Sequence, residues 1–142
     1  MTANTNTAPG AEHIRAAILR YFDRFAAGDV EGIVELFAEN AYIEDPVGTP
    51  RIVGRDALRV FYRAGLEQTG GIRMEAEGAI RIAGTIGACA AIGYCEQASP
   101  PFYFETLDVM TFDSAGKIAS MLAYWGPDNH HLLRDSTASH ND

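Results

Sequence analysis

Ile14, Ile18, Tyr21, Phe22 and Phe25 recur at three- and four-residue spacing, which predicts an amphipathic helix over residues 11–27. Gly28 stops it, as glycine does just past a helix C-terminus. Asp29 is placed to cap a second helix carrying Val30, Ile33, Val34 and Phe37 on one face. Residues 41–45 read as a short strand, broken by Pro46 and Gly48. A third helix fits residues 56–66, with Leu58, Phe61 and Tyr62 turned inward. After Gly70 and Gly71 the texture changes to runs that suit strands: residues 72–82, 86–97, 102–112 and 118–125. Gly84, Ser99-Pro100-Pro101 and Asp113-Ser114-Ala115-Gly116 separate them. Three helices toward the N-terminus and then a run of strands predict an α+β fold, with the helices packed on one face of a curved, mostly antiparallel sheet. Such a sheet can leave an apolar pocket at its open end.

The length of 142 residues suits one domain, read as residues 11–132, with polar tails at 1–10 and 133–142 expected to be disordered. A hydrophobic fraction of 47% supports a packed core. The net charge of −8, with no basic run, argues against nucleic acid and anionic membrane surfaces as partners. No apolar run approaches the roughly 20 residues of a membrane span, and the first residues show no secretory pattern, so a cytoplasmic location is expected. Cys89 and Cys95 fall on one predicted strand, too far apart to bridge within it, and read as buried small residues. His13, His130, His131 and His140 lie in or near the chain ends and read as surface residues. No metal site, nucleophile elbow or phosphate-cradling glycine loop is expected.

Three residues carry candidate chemistry. Alternation in 102–112 puts Phe102, Phe104, Thr106, Asp108, Met110 and Phe112 on one face, so Asp108 is a carboxyl on an otherwise apolar surface. If that face is buried, its pKa rises and the neutral acid becomes a hydrogen-bond donor; if it faces solvent, Asp108 pairs with a cation or caps a loop. Tyr21 lies on the apolar stripe of the first helix, where its hydroxyl needs a partner, which could be no more than a backbone carbonyl. Asp45 precedes Pro46 at a strand end, with Glu44 pointing the other way; it is either a pocket carboxylate or a turn-forming aspartate.

The segments that hold these residues have a familiar order. They are Arg20-Tyr21, Ala27-Gly28-Asp29, Gly32-Ile33-Val34, Tyr42-Ile43-Glu44-Asp45-Pro46-Val47-Gly48, Phe61-Tyr62-Arg63, Leu107-Asp108-Val109-Met110-Thr111-Phe112-Asp113 and Ala123-Tyr124-Trp125. Across residues 14–129 the chain resembles the ketosteroid isomerases, the steroid Δ5-3-ketoisomerases of the NTF2-like, SnoaL-like superfamily. The resemblance implies an NTF2-like cone and a small apolar ketosteroid substrate whose β,γ double bond moves into conjugation. It implies Asp45 as general base, Tyr21 and protonated Asp108 as oxyanion donors, Tyr62 supporting Tyr21 by hydrogen bonding, and Trp125 in the pocket. An ionised and a neutral aspartate side by side is the known pattern of that family. Met121 and Phe61 are expected to add apolar wall. A homodimer and no cofactor or metal are implied. Two departures stand out. Phe37 replaces a tyrosine found in some members, so the phenol network should end at Tyr62. Residues 88–95 are rich in Ala and Gly for a pocket wall. Rival activities on this fold are a SnoaL-type polyketide cyclase, a limonene-type epoxide hydrolase with an Asp-Arg-Asp group, and a non-catalytic binder of apolar ligands.

Overall fold

A computed structural model describes residues 8–133; the expected tails lie mostly outside the described residues. Helix α1 spans Ala11–Ala26 and buries Ile14, Ala17, Ile18, Tyr21, Phe22 and Phe25, the forecast stripe plus one alanine. Gly28 follows at φ 67°, a backbone angle that side chains disfavour. The Asp29 carboxylate accepts from Gly32 N at 2.9 Å and caps α2, Val30–Val34.

Phe37 departs from expectation. It opens strand β1 (Phe37–Glu44) instead of extending α2. The reason is tertiary: Ile118 N donates to Leu36 O, Phe37 pairs with Ile118, and the Arg55 guanidinium donates to Phe37 O at 2.6 and 3.0 Å. A ladder therefore takes over where helical spacing would have continued. The short strand β2 (Ile52–Val53) pairs with β1 and had no sequence signal. Helix α3 runs Arg55–Thr69, longer than read, because Gly70 at φ 76° is its actual stop.

The expected strand 72–82 is two strands, β3 (Arg73–Ala76) and β4 (Arg81–Ala83), parted at Gly78 with φ 77°. Both pair with β5 (Ile86–Cys95). Strands β6 (Phe102–Phe112) and β7 (Ile118–Tyr124) follow, and β8 (His130–Leu132), which the sequence did not suggest, closes the described chain. The sheet runs β2-β1-β7-β6-β5-β3, with β4 on β5 and β8 on β6. Among the strands of the described residues, β1–β7 is the one parallel pairing, so the mostly antiparallel α+β expectation holds. Strands β7 and β8 share one edge of β6: β7 pairs with its second half and β8 with Phe102–Phe104.

The inward positions of β5 are Gly87, Cys89, Ala91, Gly93 and Cys95, all buried. Their small size has a packing cause. A Cβ on Gly87 would press on Ile14 and Ile18 of α1, and one on Gly93 would collide with the Phe104 ring. The Ala/Gly-rich stretch is thus not a pocket wall but a floor that lets α1 and Phe104 lie close. Both cysteines are free and buried. Among the described residues, no helix is long and apolar enough to cross a membrane.

Candidate active site

A cavity of about 330 Å³ opens between α1, α3 and the inward face of β6. Tyr21 and Phe25 enter it from α1, Phe61, Tyr62, Gly65, Gln68 and Thr69 from α3, and Phe102, Phe104, Thr106 and Asp108 from β6. Asp45, Ile72, Met74, Trp125 and His130 complete it. Its size is at the small end for a drug-sized ligand site.

Period-two alternation carries Asp108 inward: it is 4% exposed, whereas its neighbour Leu107 is 42% exposed on the outer face. The solvent-facing alternative is thereby removed. Burial pushes the Asp108 carboxyl up to about 7, helped by the nearby charge of Asp45 and opposed by the Thr106 hydroxyl. That hydroxyl donates to Asp108 Oδ1 at 2.9 Å from two residues along the same face.

Asp45 follows β1, its peptide bond to Pro46 is cis, and it sits half-buried at the cavity edge. Its carboxyl is also raised, by burial, but the Trp125 indole Nε1 donates to Oδ1 at 2.7 Å and pulls the other way. Trp125 was expected as pocket wall only; its bond to the carboxylate had no sequence signal, since 80 residues separate the two. Glu44 does turn away, bonding Arg51 at 3.1 Å.

Tyr21 and Tyr62 are both buried, with hydroxyls 2.9 Å apart. Burial holds both phenols well above the ordinary tyrosine value, and the charges of Asp45 and Asp108 add to it. So the Tyr21 hydroxyl bonds a side chain, not a backbone carbonyl. Phe37 packs against both rings, with centroids 6.2 and 6.1 Å away, and offers no hydroxyl to continue the chain.

Phe61 lines the cavity, but Met121 does not: it is 1% exposed in the core within β7, four residues short of where Trp125 enters the cavity. Shared parity put them on one face, but only the residue beyond the strand end reaches the opening. His130 is exposed, as the sequence suggested, but it also belongs to the cavity mouth. It pairs with Phe104, stacks on Phe102 with centroids 4.4 Å apart, and lines the cavity mouth. His131 is half-buried and bonded to Glu105 at 2.7 Å. The signal that could have found this return strand is the turn-forming run Gly126-Pro127-Asp128-Asn129 before it. Among the described residues, no cluster of ligating side chains could hold a metal ion.

The arrangement sets an ionisable carboxyl, a carboxyl held toward its neutral form and a buried phenol around one apolar space. Comparison with known proteins places the chain in a family. The chain is 36% identical over 117 residues to a steroid Delta-isomerase of Nocardioides simplex, covering 80% of this chain and 90% of that protein. It is 47% identical over 49 residues to the epoxide hydrolase LasB of Streptomyces lasalocidi, a span of 34% of this chain and 17% of that enzyme. The solved structure of SalBIII, an epoxide hydrolase/cyclase-like enzyme of pyran ring formation in the polyether salinomycin, superposes with a TM-score of 0.77 at 28% identity, covering 86% of this chain and 97% of that one. The SnoaL-like domain family matches residues 18–121, a span that holds Tyr21, Asp45, Tyr62 and Asp108, and the chain belongs to that family of NTF2-like domains.

Proposed function

We propose that this protein is a cofactor-independent steroid Δ-isomerase, converting a Δ5-3-ketosteroid to its conjugated Δ4 isomer. The observation that carries the reading is the pair of aspartates on one apolar cavity, one favoured by an indole donor and the other driven toward neutrality by burial and by the first. A proton beside a ketone is too weak an acid for a carboxylate alone, so the dienolate oxygen must be stabilised as the proton leaves. Tyr21 and protonated Asp108 donate to that oxygen, Tyr62 donates to the Tyr21 oxygen, and ionised Asp45 takes the proton from C4 and returns it to C6. One carboxyl both accepts and delivers the proton, so the step balances without a co-reactant. Phe61, Phe104 and Trp125 supply apolar wall for the rings.

A second reading is favoured by the likeness to SalBIII and LasB: an epoxide-opening or cyclising enzyme. Against the Asp-Arg-Asp form of that chemistry, no arginine lines the cavity among the described residues. The outer sheet face presents Leu107 and Tyr124, and the proposed homodimer forms by pairing of that face; sedimentation of the purified chain at twice its monomer mass tests it.

The deciding experiment is a near-UV assay with 5-androstene-3,17-dione, run on the wild type and on Asp45→Asn. Conjugated enone should appear with the wild type and fall roughly a thousandfold or more with the variant. A folded wild type that produces no enone sinks the isomerase reading and favours the cyclase one.

A further inference from the structure

The far end of the cavity has its own polar groups. Along the inward face of β6, Phe104 lies four residues or about 13 Å from Asp108, toward the cavity mouth. His130 pairs with Phe104 in register, and directly opposed residues of an antiparallel pair point to the same face. Its ring therefore sits on the cavity side, while His131 takes the opposite face and stacks on Tyr103 at 4.9 Å. Stacking on Phe102, with rings 25° from parallel, occupies a face of the His130 imidazole and leaves the nitrogens at its edge.

Gln68 comes from the opposite wall. It lies six residues beyond Tyr62 on α3, about 9 Å further along the helix axis. The other polar side chains of the cavity are engaged. Trp125 is bonded to Asp45, Thr106 to Asp108, and Thr69 donates back to Gly65 O at 2.8 Å. Among the described residues, His130 and Gln68 line the cavity without a side-chain hydrogen bond.

Resting on the isomerase reading, we infer that His130, with Gln68, forms a distal subsite that recognises a carbonyl or hydroxyl oxygen at the end of the substrate remote from its reacting ketone. A neutral imidazole and a primary amide each carry both a donor and an acceptor, so either oxygen is satisfied. The subsite lies outside the span matched by the SnoaL-like family on its histidine side, since that span ends at residue 121. It stands apart from the proton-transfer groups because His130 faces Phe104, about 13 Å along β6 from Asp108. The Phe102 stack positions the ring; both His130 and Gln68 are exposed at the mouth, so a substrate oxygen takes the place of water on them.

The test is equilibrium binding of two phenolic steroids whose phenol mimics the dienolate: 17β-estradiol and its 17-deoxy counterpart. The wild type should favour the 17-hydroxyl ligand by about 3- to 10-fold, the worth of one neutral hydrogen bond. His130→Phe, which keeps the stack on Phe102 but removes the nitrogens, should bring that ratio close to one. His130→Gln should restore part of it, which a merely structural role would not. Equal affinity of the wild type for the two ligands overturns the subsite, whatever its turnover. A retained preference in His130→Phe overturns the assignment to His130. Failure of the wild type to bind either phenol overturns the subsite and the oxyanion pair together. Intact preference without enone formation upholds the subsite and sinks only the isomerase reading.

Discussion

The two aspartates of the cavity occupy contrasting ground. Asp108 sits mid-strand, covered by helices, with a single hydroxyl donor and the charge of Asp45 nearby. Asp45 sits just past a strand end, half-buried, with an indole N–H on its carboxylate. Burial raises both, so exposure alone does not divide them. The division comes from neighbours: the stronger, shorter donor bond falls on Asp45, and an ionised Asp45 further disfavours charge on Asp108. A site built this way sets the order of titration, with Asp45 losing its proton first.

The largest test of that contrast removes the base, as in the Asp45→Asn assay above. Next come the donors. Tyr21→Phe and Asp108→Leu should each lower kcat by roughly 10²–10³-fold with little change in KM, as expected for one lost oxyanion donor. Asp108→Asn keeps an N–H₂ donor and should lose much less. If Asp108→Asn matched Asp108→Leu, hydrogen-bond donation by residue 108 would be refuted.

The pH profile follows from the same pair. Activity in kcat/KM should rise as Asp45 ionises and fall through about pH 7 as Asp108 ionises and stops donating. Asp108→Asn should lose the alkaline fall. Stability carries the complementary signature. The folded-state pKa of Asp108 lies above its unfolded value, so the folded state binds the extra proton. Below about pH 4 both states are protonated and the group is neutral in its effect. Between that and about pH 7 its penalty grows with pH and then levels off. Thermal melts of Asp108→Asn against wild type should show a Tm advantage that widens across this window; a gap constant with pH would refute the raised carboxyl.

The smallest effects come from the supporting donors. Trp125→Phe removes the N–H on Asp45 and should move the acid limb of the profile to higher pH, lowering kcat/KM several-fold at pH 6. Thr106→Val removes the donor that favours charge on Asp108 and should move the alkaline limb upward. Opposite limbs moving in the two variants would locate each aspartate in the profile; movement of the same limb would merge them.

Much of this was legible in the chain because it rests on local rules. The α1 stripe, the Gly28 stop, the Asp29 cap and the shared face of Phe104, Thr106, Asp108 and Met110 on β6 follow from spacing and from glycine stereochemistry; that this face is the buried one does not. Phe37, the split of 72–82 and β8 were not legible, because each depends on a pairing partner distant in sequence. Met121 and Trp125 share parity, yet the strand ends between them and only one reaches the cavity. His130 is exposed, as its place near the chain end suggested, but its membership of β8 was not legible, because three residues of strand have no readable period.

By itself, then, the amino-acid sequence determined the three helices, the long strands β5, β6 and β7, and the alternation that sets Asp108 on one face with Phe104 and Met110. Those properties depend on neighbours within a turn or on alternation along a strand. Only the tertiary structure decided the Trp125–Asp45 bond, the small-residue floor under Phe104 and the placing of His130 at the cavity mouth. Each depends on side chains brought together from separate elements by burial of a common core, and no local pattern encodes which of them will meet.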